Sequence, residues 1–212
     1  MSKSGKTLVE FNVKNGQYKT GDGTLKSLTW LTKVALEADV GESVIFGDGE
    51  EVLTLQNDKG YNVTLGMTAP DLDFEKDNGL CEEITGGIAN IQRQSRPENA
   101  IYFETQYAGA DGTTKTKKVW LFGVTVSKPS ITFDQNTDNP NASTVEYAGK
   151  VRGTNLKAVG GAKDYIDPTT GNTIKVFRLS AIPTDSGYAD FGSSVPVPTV
   201  LTPPTPPSGG ET

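Results

Sequence analysis

Several residue groups in this chain have types and spacings that chemistry could use. Ser4-Gly5-Lys6-Thr7 has the ending of a phosphate-binding loop. No glycine stands at the required upstream spacing and no strand leads in, so it reads as a mildly basic arm. Asp73, Glu75 and Asp77 precede Asn78-Gly79 much as in a calcium loop. The glycine falls one position late, however, and the twelfth position is Ile84 rather than a glutamate, which leaves a solvated acidic helix end. Glu82-Glu83 supplies two carboxylates, but neighbours in a strand point to opposite faces and would not converge on one glycosidic bond. Cys81, between Leu80 and Glu82, has no basic neighbour to lower its pKa and reads as a small core residue. Trp30 and Trp120 have the rings to stack a sugar, yet each is in phase with aliphatic neighbours, and both are expected in the core. The chain has no histidine, which removes Ser-His-Asp and Cys-His catalysis and most catalytic zinc sites. No enzyme, cofactor or metal is expected.

Composition narrows the class further. The 212 residues carry 34% apolar and 22% charged side chains, with 24 glycines and 12 prolines. That suffices for a real core, because the apolar residues are patterned rather than diluted. A net charge of −6 and a pI near 4.8 give no basic footprint for gripping phosphates. The single cysteine excludes a disulfide within the chain. MSKSGKTLVEFNV lacks the apolar run of a secretion signal and no stretch approaches a membrane span, so synthesis in a reducing cytoplasm without membrane partners is expected.

The apolar residues alternate with a period of two almost throughout, which predicts strands. Val9, Phe11 and Val13 form one face, and the turn-rich NGQYKTGDG follows. In SLTWLTKVALEADV, residues Leu28, Trp30, Val34, Leu36, Ala38 and Val40 share a face, predicting a strand of about fourteen residues. VGESVIFGDGEEV reads as a glycine- and acid-rich connection. VLTLQNDKGYNVTLGM reads as a hairpin turning at Asn57-Asp58-Lys59-Gly60. Asp71 starts the one plausible helix, DLDFEKDNG, closed by Asn78-Gly79. Ile101, Phe103, Thr105 and Tyr107 form another strand face, and GADGTT turns into VWLFGVTV, with Trp120, Phe122, Val124 and Val126 on one side. Val145, Tyr147 and Val151 mark the next strand, DQNTDNPNA a loop, and TIKVFRL the last strand. The segments divide into a flexible arm (residues 1–6), a β domain (7–191) and a polyproline-like tail (192–212).

Long strands leave edges that another chain can pair, and a structural protein can exploit this by closing a ring of subunits. The order of segments resembles the major tail proteins, or tail tube proteins, of long non-contractile-tailed bacteriophages. The residues that carry the resemblance are TWLTKVALEADV followed by FGDGEE, then GYNVTLGM, then APDLDFEKDNG. The long block IYFETQYAGADGTTKTKKVWLFGVTVSKPSITFDQNTDNPNASTVEYAGKVRGT completes it. The resemblance implies an all-β protein, a β-sandwich of tail-tube fold with one short flanking helix. Its inner strands would form a shared β-barrel in a hexameric ring, and stacked rings would form a virion conduit for DNA ejection. Implied partners are further copies of the chain, a tape measure protein, a tail terminator and distal tail proteins, with DNA only passing through.

Acids lining such a bore would repel phosphates, and the candidates are Glu37, Asp39, Glu50, Glu51 and Asp58. Residues 41–51 correspond in position to the loop that contacts the next ring, which makes Ile45, Phe46 and Asp48 the candidate inter-ring contact. Otherwise that loop is an ordinary connection with Phe46 folded onto its own core. The alternative function is a monomeric β-sandwich module binding carbohydrate or a host surface, which requires exposed aromatics on one face.

Overall fold

The computed structural model describes residues 9–47, 50–108, 112–131 and 144–201, with side chains placed except at 9, 43, 45–47 and 51–57. The strands in chain order are β1 (Val9–Thr20), β2 (Lys26–Ser27), β3 (Leu31–Gly47) and β4 (Glu50–Met67). After helix α1 (Leu72–Asp77) come β5 (Cys81–Ile84), β6 (Gly87–Asn90), β7 (Asn99–Ala108) and β8 (Thr114–Val126). Then follow β9 (Ser130–Ile131), β10 (Val145–Val151), β11 (Thr154–Asn155), β12 (Lys175–Val176) and β13 (Arg178–Ala181). The all-β class with one short helix is as the alternation implies. One large antiparallel sheet runs β2-β1-β7-β8-β10-β4-β3, with β13 also on β8 and β9 on β10.

Three segments expected to turn are bulged strands instead. NGQYKTGDG does not end β1. Asn12 and Asn15 take left-handed backbone angles (φ 61° and 53°) and shift the register against β7 twice, and the strand continues to Thr20. Asparagine tolerates that conformation, and here each side-chain amide also donates to β7, to Gln106 and Glu104 at 2.8 Å. The expected hairpin at Asn57-Asp58-Lys59-Gly60 is likewise a single 18-residue strand. Ala38 faces Tyr61 and Val40 faces Asp58, so two residues of β4, Lys59 and Gly60, oppose one of β3, Asp39. Gly60 (φ 99°) takes the left-handed position, its N–H donating to Asp58 Oδ1 at 2.9 Å. Turn chemistry and bulge chemistry use the same residues. The supposed connection VGESVIFGDGEEV is therefore the far end of the hairpin, where Gly47 pairs with Glu50.

A fourth irregularity changes which residues meet. Across β7, Asn99 faces Val124 but Ile101 faces Leu121, so β8 holds one extra residue. Gly123 (φ 63°) absorbs it, and the parity of side chains inverts there. Val119 and Leu121 before the bulge, and Val124 and Val126 after it, point into the main core. Trp120 and Phe122 point to the other face, where they form a second cluster with Tyr102. The expectation that Trp120, Phe122, Val124 and Val126 share one face fails for this reason.

Helix α1 forms where its caps place it. Asp71 Oδ1 accepts from the Phe74 N–H at 3.1 Å, and Gly79 (φ 63°) follows the Asn78 C-cap. Phe74 sits edge-on between Tyr18 and Tyr147, centroids 4.9 and 5.6 Å away. The Tyr147 hydroxyl donates to the buried Glu75 carboxylate at 2.7 Å, and burial pushes that phenol's pKa up.

TIKVFRL splits into β12 and β13 around Phe177, and the residues after β13 wrap the outer cluster. Phe191 and Val195 pack on it, Trp120 Nε1 donates to the Phe191 carbonyl at 2.7 Å, and Val200 N–H donates to Lys157 at 3.0 Å. Within the stretch expected as a polyproline-like tail, Gly192 and Val195 thus lie against the outer cluster, and residues 198–200 pair with Lys157. The 1–6 arm, the whole of the DQNTDNPNA loop and residues 202–212 lie outside the described residues.

A Cβ at Gly123 would meet the Gly153 carbonyl oxygen at 2.7 Å, whereas one at Gly86 (φ 92°) would meet open space. Gly123→Ala should therefore lower stability by about 3 kcal/mol and Gly86→Ala by about 1 kcal/mol, read as urea midpoints at unchanged slope.

Candidate functional site

The site that these residues build is a pair of sheet edges. Among the described residues, no strand pairs with the outer edge of β3, and β1 carries only the two-residue β2 on its own outer edge. The edges come together at one end, where Leu28 N–H donates to the Gly16 carbonyl at 2.8 Å. Gly16 is required there, since a Cβ would lie 2.9 Å from that Leu28 oxygen. Toward the other end the seam between β1 and β3 holds a cleft of about 290 Å³. Val13, Val34, Leu36, Phe103 and Val119 line it together with Thr105. Thr105 is 7% exposed, and its Oγ1 is buried without a hydrogen-bond partner among the described residues. A polar atom left so costs stability unless something reaches it.

Beyond the seam the β3–β4 hairpin runs on alone. Strand β10 pairs with β4 only from Tyr61 to Met67, so residues 50–60 have β3 as their sole partner among the described residues. Seventeen residues of β3 span about 55 Å at strand rise. An isolated two-stranded ribbon is marginal in water. The outer half of this one lies outside the support of its own sheet.

All the candidate acids that are described fall on this hairpin. Glu37 is exposed on the face opposite the core, between Val34 and Leu36 on one side and the bulge on the other. Asp39 holds Lys150 of β10 at 3.0 Å, and on the same face Glu146 holds Lys33 at 3.1 Å. That face is consequently close to neutral rather than acidic. Asp58 is exposed and braces the Gly60 bulge, and Glu50 is exposed beside the tip. Ile45, Phe46 and Glu51 are backbone-paired strand residues whose side chains lie outside what is described, as does Asp48 entirely. The hairpin thus gathers the bore and contact candidates into one element, which sequence separation alone had not shown.

Trp30 was expected in the core and is not there. It is 65% exposed, with its backbone at φ 62°, an outlier for a bulky side chain. Asp71 fixes it: Oδ2 accepts from both the N–H and the hydroxyl of Thr29, at 3.0 and 2.8 Å, while Oδ1 caps α1. Thr68 N–H donates to the Trp30 carbonyl at 3.2 Å. The kink moves Trp30 off the strand whose period it shares. Trp120, by contrast, is fully buried, as expected.

The other screened motifs hold ordinary structure. Glu83 pairs with Lys76 at 3.0 Å and Glu82 lies 3.6 Å from Arg93. Cys81 is buried, and that burial raises its thiol pKa. Asp73, Glu75 and Asp77 lie on α1 without converging: Glu75 accepts from Tyr147 and Asp77 from Tyr18 and Lys26, at 2.9 and 2.6 Å, while Asp73 is exposed. No cluster of three metal-ligating side chains occurs among the described residues. A concavity of about 670 Å³ on the sheet face is lined by Asn62, Thr64, Arg96, Thr125, Lys150 and Arg152 among others.

No family model matches the chain. No curated protein matches it. Among solved structures, a chain of the PVC sheath–tube complex, an extracellular contractile injection system in its extended state, aligns at 13% identity. The alignment covers 65% of this chain and 84% of that one, with a TM-score of 0.36. Hcp1 from Flavobacterium johnsoniae aligns at 12% identity over 66% and 91%, with a TM-score of 0.31. The cap that terminates the tube of the anti-feeding prophage aligns at 13% over 65% and 83%, with a TM-score of 0.37. Alignments at such scores do not by themselves assign a family, and none of these names is that of a long non-contractile phage tail.

Asp71→Ala removes the α1 cap and strips both Thr29 donors of their acceptor. It should lower stability by about 2–3 kcal/mol in urea denaturation, while Asp71→Asn, which can still cap, should lose about 1 kcal/mol.

Proposed function

We propose that the protein is a structural, self-assembling subunit whose copies knit their sheets into the wall of a tail tube. The reading rests on one observation: among the described residues, β3 has no strand partner on its outer edge, and the outer half of the β3–β4 hairpin pairs only with itself. Unpaired edges of this length are what monomeric proteins blunt, by bulges, charges or cover. Joining edges between copies supplies the missing ladder, and closing the series abolishes edges altogether.

In its most specific form the assembly is a stack of hexameric rings in a phage virion, built in the host cytoplasm and passing DNA on ejection. The face bearing Glu37, Asp39, Asn62, Thr64, Thr125 and Lys150 is the candidate bore: Asp39–Lys150 and Glu146–Lys33 are paired on it and Glu37 is exposed, while Arg96 and Arg152, beside Lys150, are the points at which phosphates would touch it. Glu50, Glu51 and Asp58 would add acid toward one rim. Ile45, Phe46 and Asp48, at the hairpin tip, would meet the next ring. Tape measure, terminator and distal tail proteins would close the two ends.

The exposed Trp30 favours a second reading, a monomeric module that stacks a glycan on that ring. Negative-stain microscopy of concentrated protein separates the two. Rings or tubes support the first, and single particles that bind glycans support the second. Phe46→Asp should abolish or shorten tubes while leaving circular dichroism unchanged, and tubes of normal length would remove Phe46 from the contact.

A further inference from the structure

We propose that a second copy of this chain docks its Trp30 indole into the cleft between β1 and β3, so that subunits join head to tail along the seam. The inference rests on the tube reading for the occurrence of self-assembly, but names a contact that the reading does not require.

The anchor is built for exposure. A large aromatic residue at positive φ is strained, and here four hydrogen bonds around Asp71, Thr29 and Thr68 hold the strained turn in place. Its indole N–H has no hydrogen-bond partner among the described residues. A core role does not account for it, since most of the side chain is in solvent. Presentation to a partner does account for it, because aromatic rings with a polar handle dominate binding energy when they enter a pocket.

The receptor has what the anchor lacks. Its floor is apolar, formed by Val13, Val34, Leu36, Phe103 and Val119, and it holds one buried oxygen without a partner, Thr105 Oγ1. An indole fills such a slot with apolar surface and offers one N–H to that oxygen. Charges agree as well. The exposed Asp73 follows the Asp71 that fixes Trp30, and Arg178 stands at the cleft exposed and without an ion pair among the described residues.

Placement decides the occupant. Trp30 precedes Leu31 at the end of the seam where Gly16 meets Leu28, whereas the cleft reaches Glu10, Phe11 and Lys117 toward the other end. A subunit therefore carries anchor and receptor at opposite ends of one seam. Joining two copies leaves one anchor and one receptor open, which is the condition for a heterologous series that extends.

The experiment uses the full chain and follows assembly by sedimentation velocity, with tryptophan emission as a local probe. Trp120 is buried throughout, so a blue shift on assembly reports Trp30. Trp30→Gly relieves the positive-φ strain, so the subunit should keep or raise its Tm. The same variant should need about thirtyfold more protein for half-assembly. Arg178→Asp should weaken assembly, and adding Asp73→Arg should recover it. Loss in the single variants with recovery in the double supports the docking. Loss of extended tubes with closed rings retained also supports it. Trp30→Gly assembling like the parent overturns the docking and leaves the tube reading standing. A parent chain that stays monomeric at every concentration, with unshifted emission, overturns both.

Discussion

The architecture depends on backbone meeting backbone where β4, β8 and β10 cross. A Cβ would lie 2.2 Å from the Val151 oxygen at Gly60, 2.7 Å from the Gly153 oxygen at Gly123 and 2.3 Å from the Thr125 oxygen at Gly149. Only glycine permits those approaches. Because Gly123 is also a bulge, it inverts the parity of β8 and lets one strand feed two hydrophobic clusters. Val119, Leu121, Val124 and Val126 serve the inner cluster, and Trp120 with Phe122 the outer. The residues after β13 cover the outer cluster, so both faces of that part of the sheet are closed by the chain itself.

The edges are a different matter. Among the described residues, the chain that closes both faces puts no strand on the outer side of β3 and sends the far half of its hairpin past the last supporting strand. Polar cover is thin there: the ion pairs Asp39–Lys150 and Glu146–Lys33 lie on the face of the sheet, not along its rim. Satisfied faces with unsatisfied edges describe a part that is finished only in company, and this connects the fold to the proposed role.

Much of this was legible in the sequence. The period-two alternation marked the strands, and Asp71 with Asn78-Gly79 marked the helix, because caps act locally. Irregularity was misread as termination. Asn15-Gly16 and Asn57-Asp58-Lys59-Gly60 carry residues that tolerate positive φ, and nothing in their types distinguishes a chain that reverses from one that bulges and continues. That choice is made by distant partners, β7 for the first and β3 for the second. Trp30 misled for a related reason: its phase with Val34 and Leu36 counted only if the strand began before it, and the kink at Trp30 places it outside. The seam and Thr105 had no sequence signal at all, since a missing partner is a property of the assembled sheet. The C-terminal wrap was hidden by its prolines, which read as tail although Pro198 is buried.

The bulge at Gly60 also acts as a phase setter. Side chains on a strand alternate strictly, so one additional residue turns everything beyond it through half a revolution about the strand axis. From Asp58 to Leu53, the backbone pairing of β4 against β3 is thus set by a single glycine up to seven residues away, until a second shift intervenes between Ile45 and Phe46. Removing one residue at Lys59 would restore an even ladder with Asp58 still opposite Val40 and Leu53 still opposite Ile45, whereas straightening the bulge without a deletion would slide every pair beyond it by one.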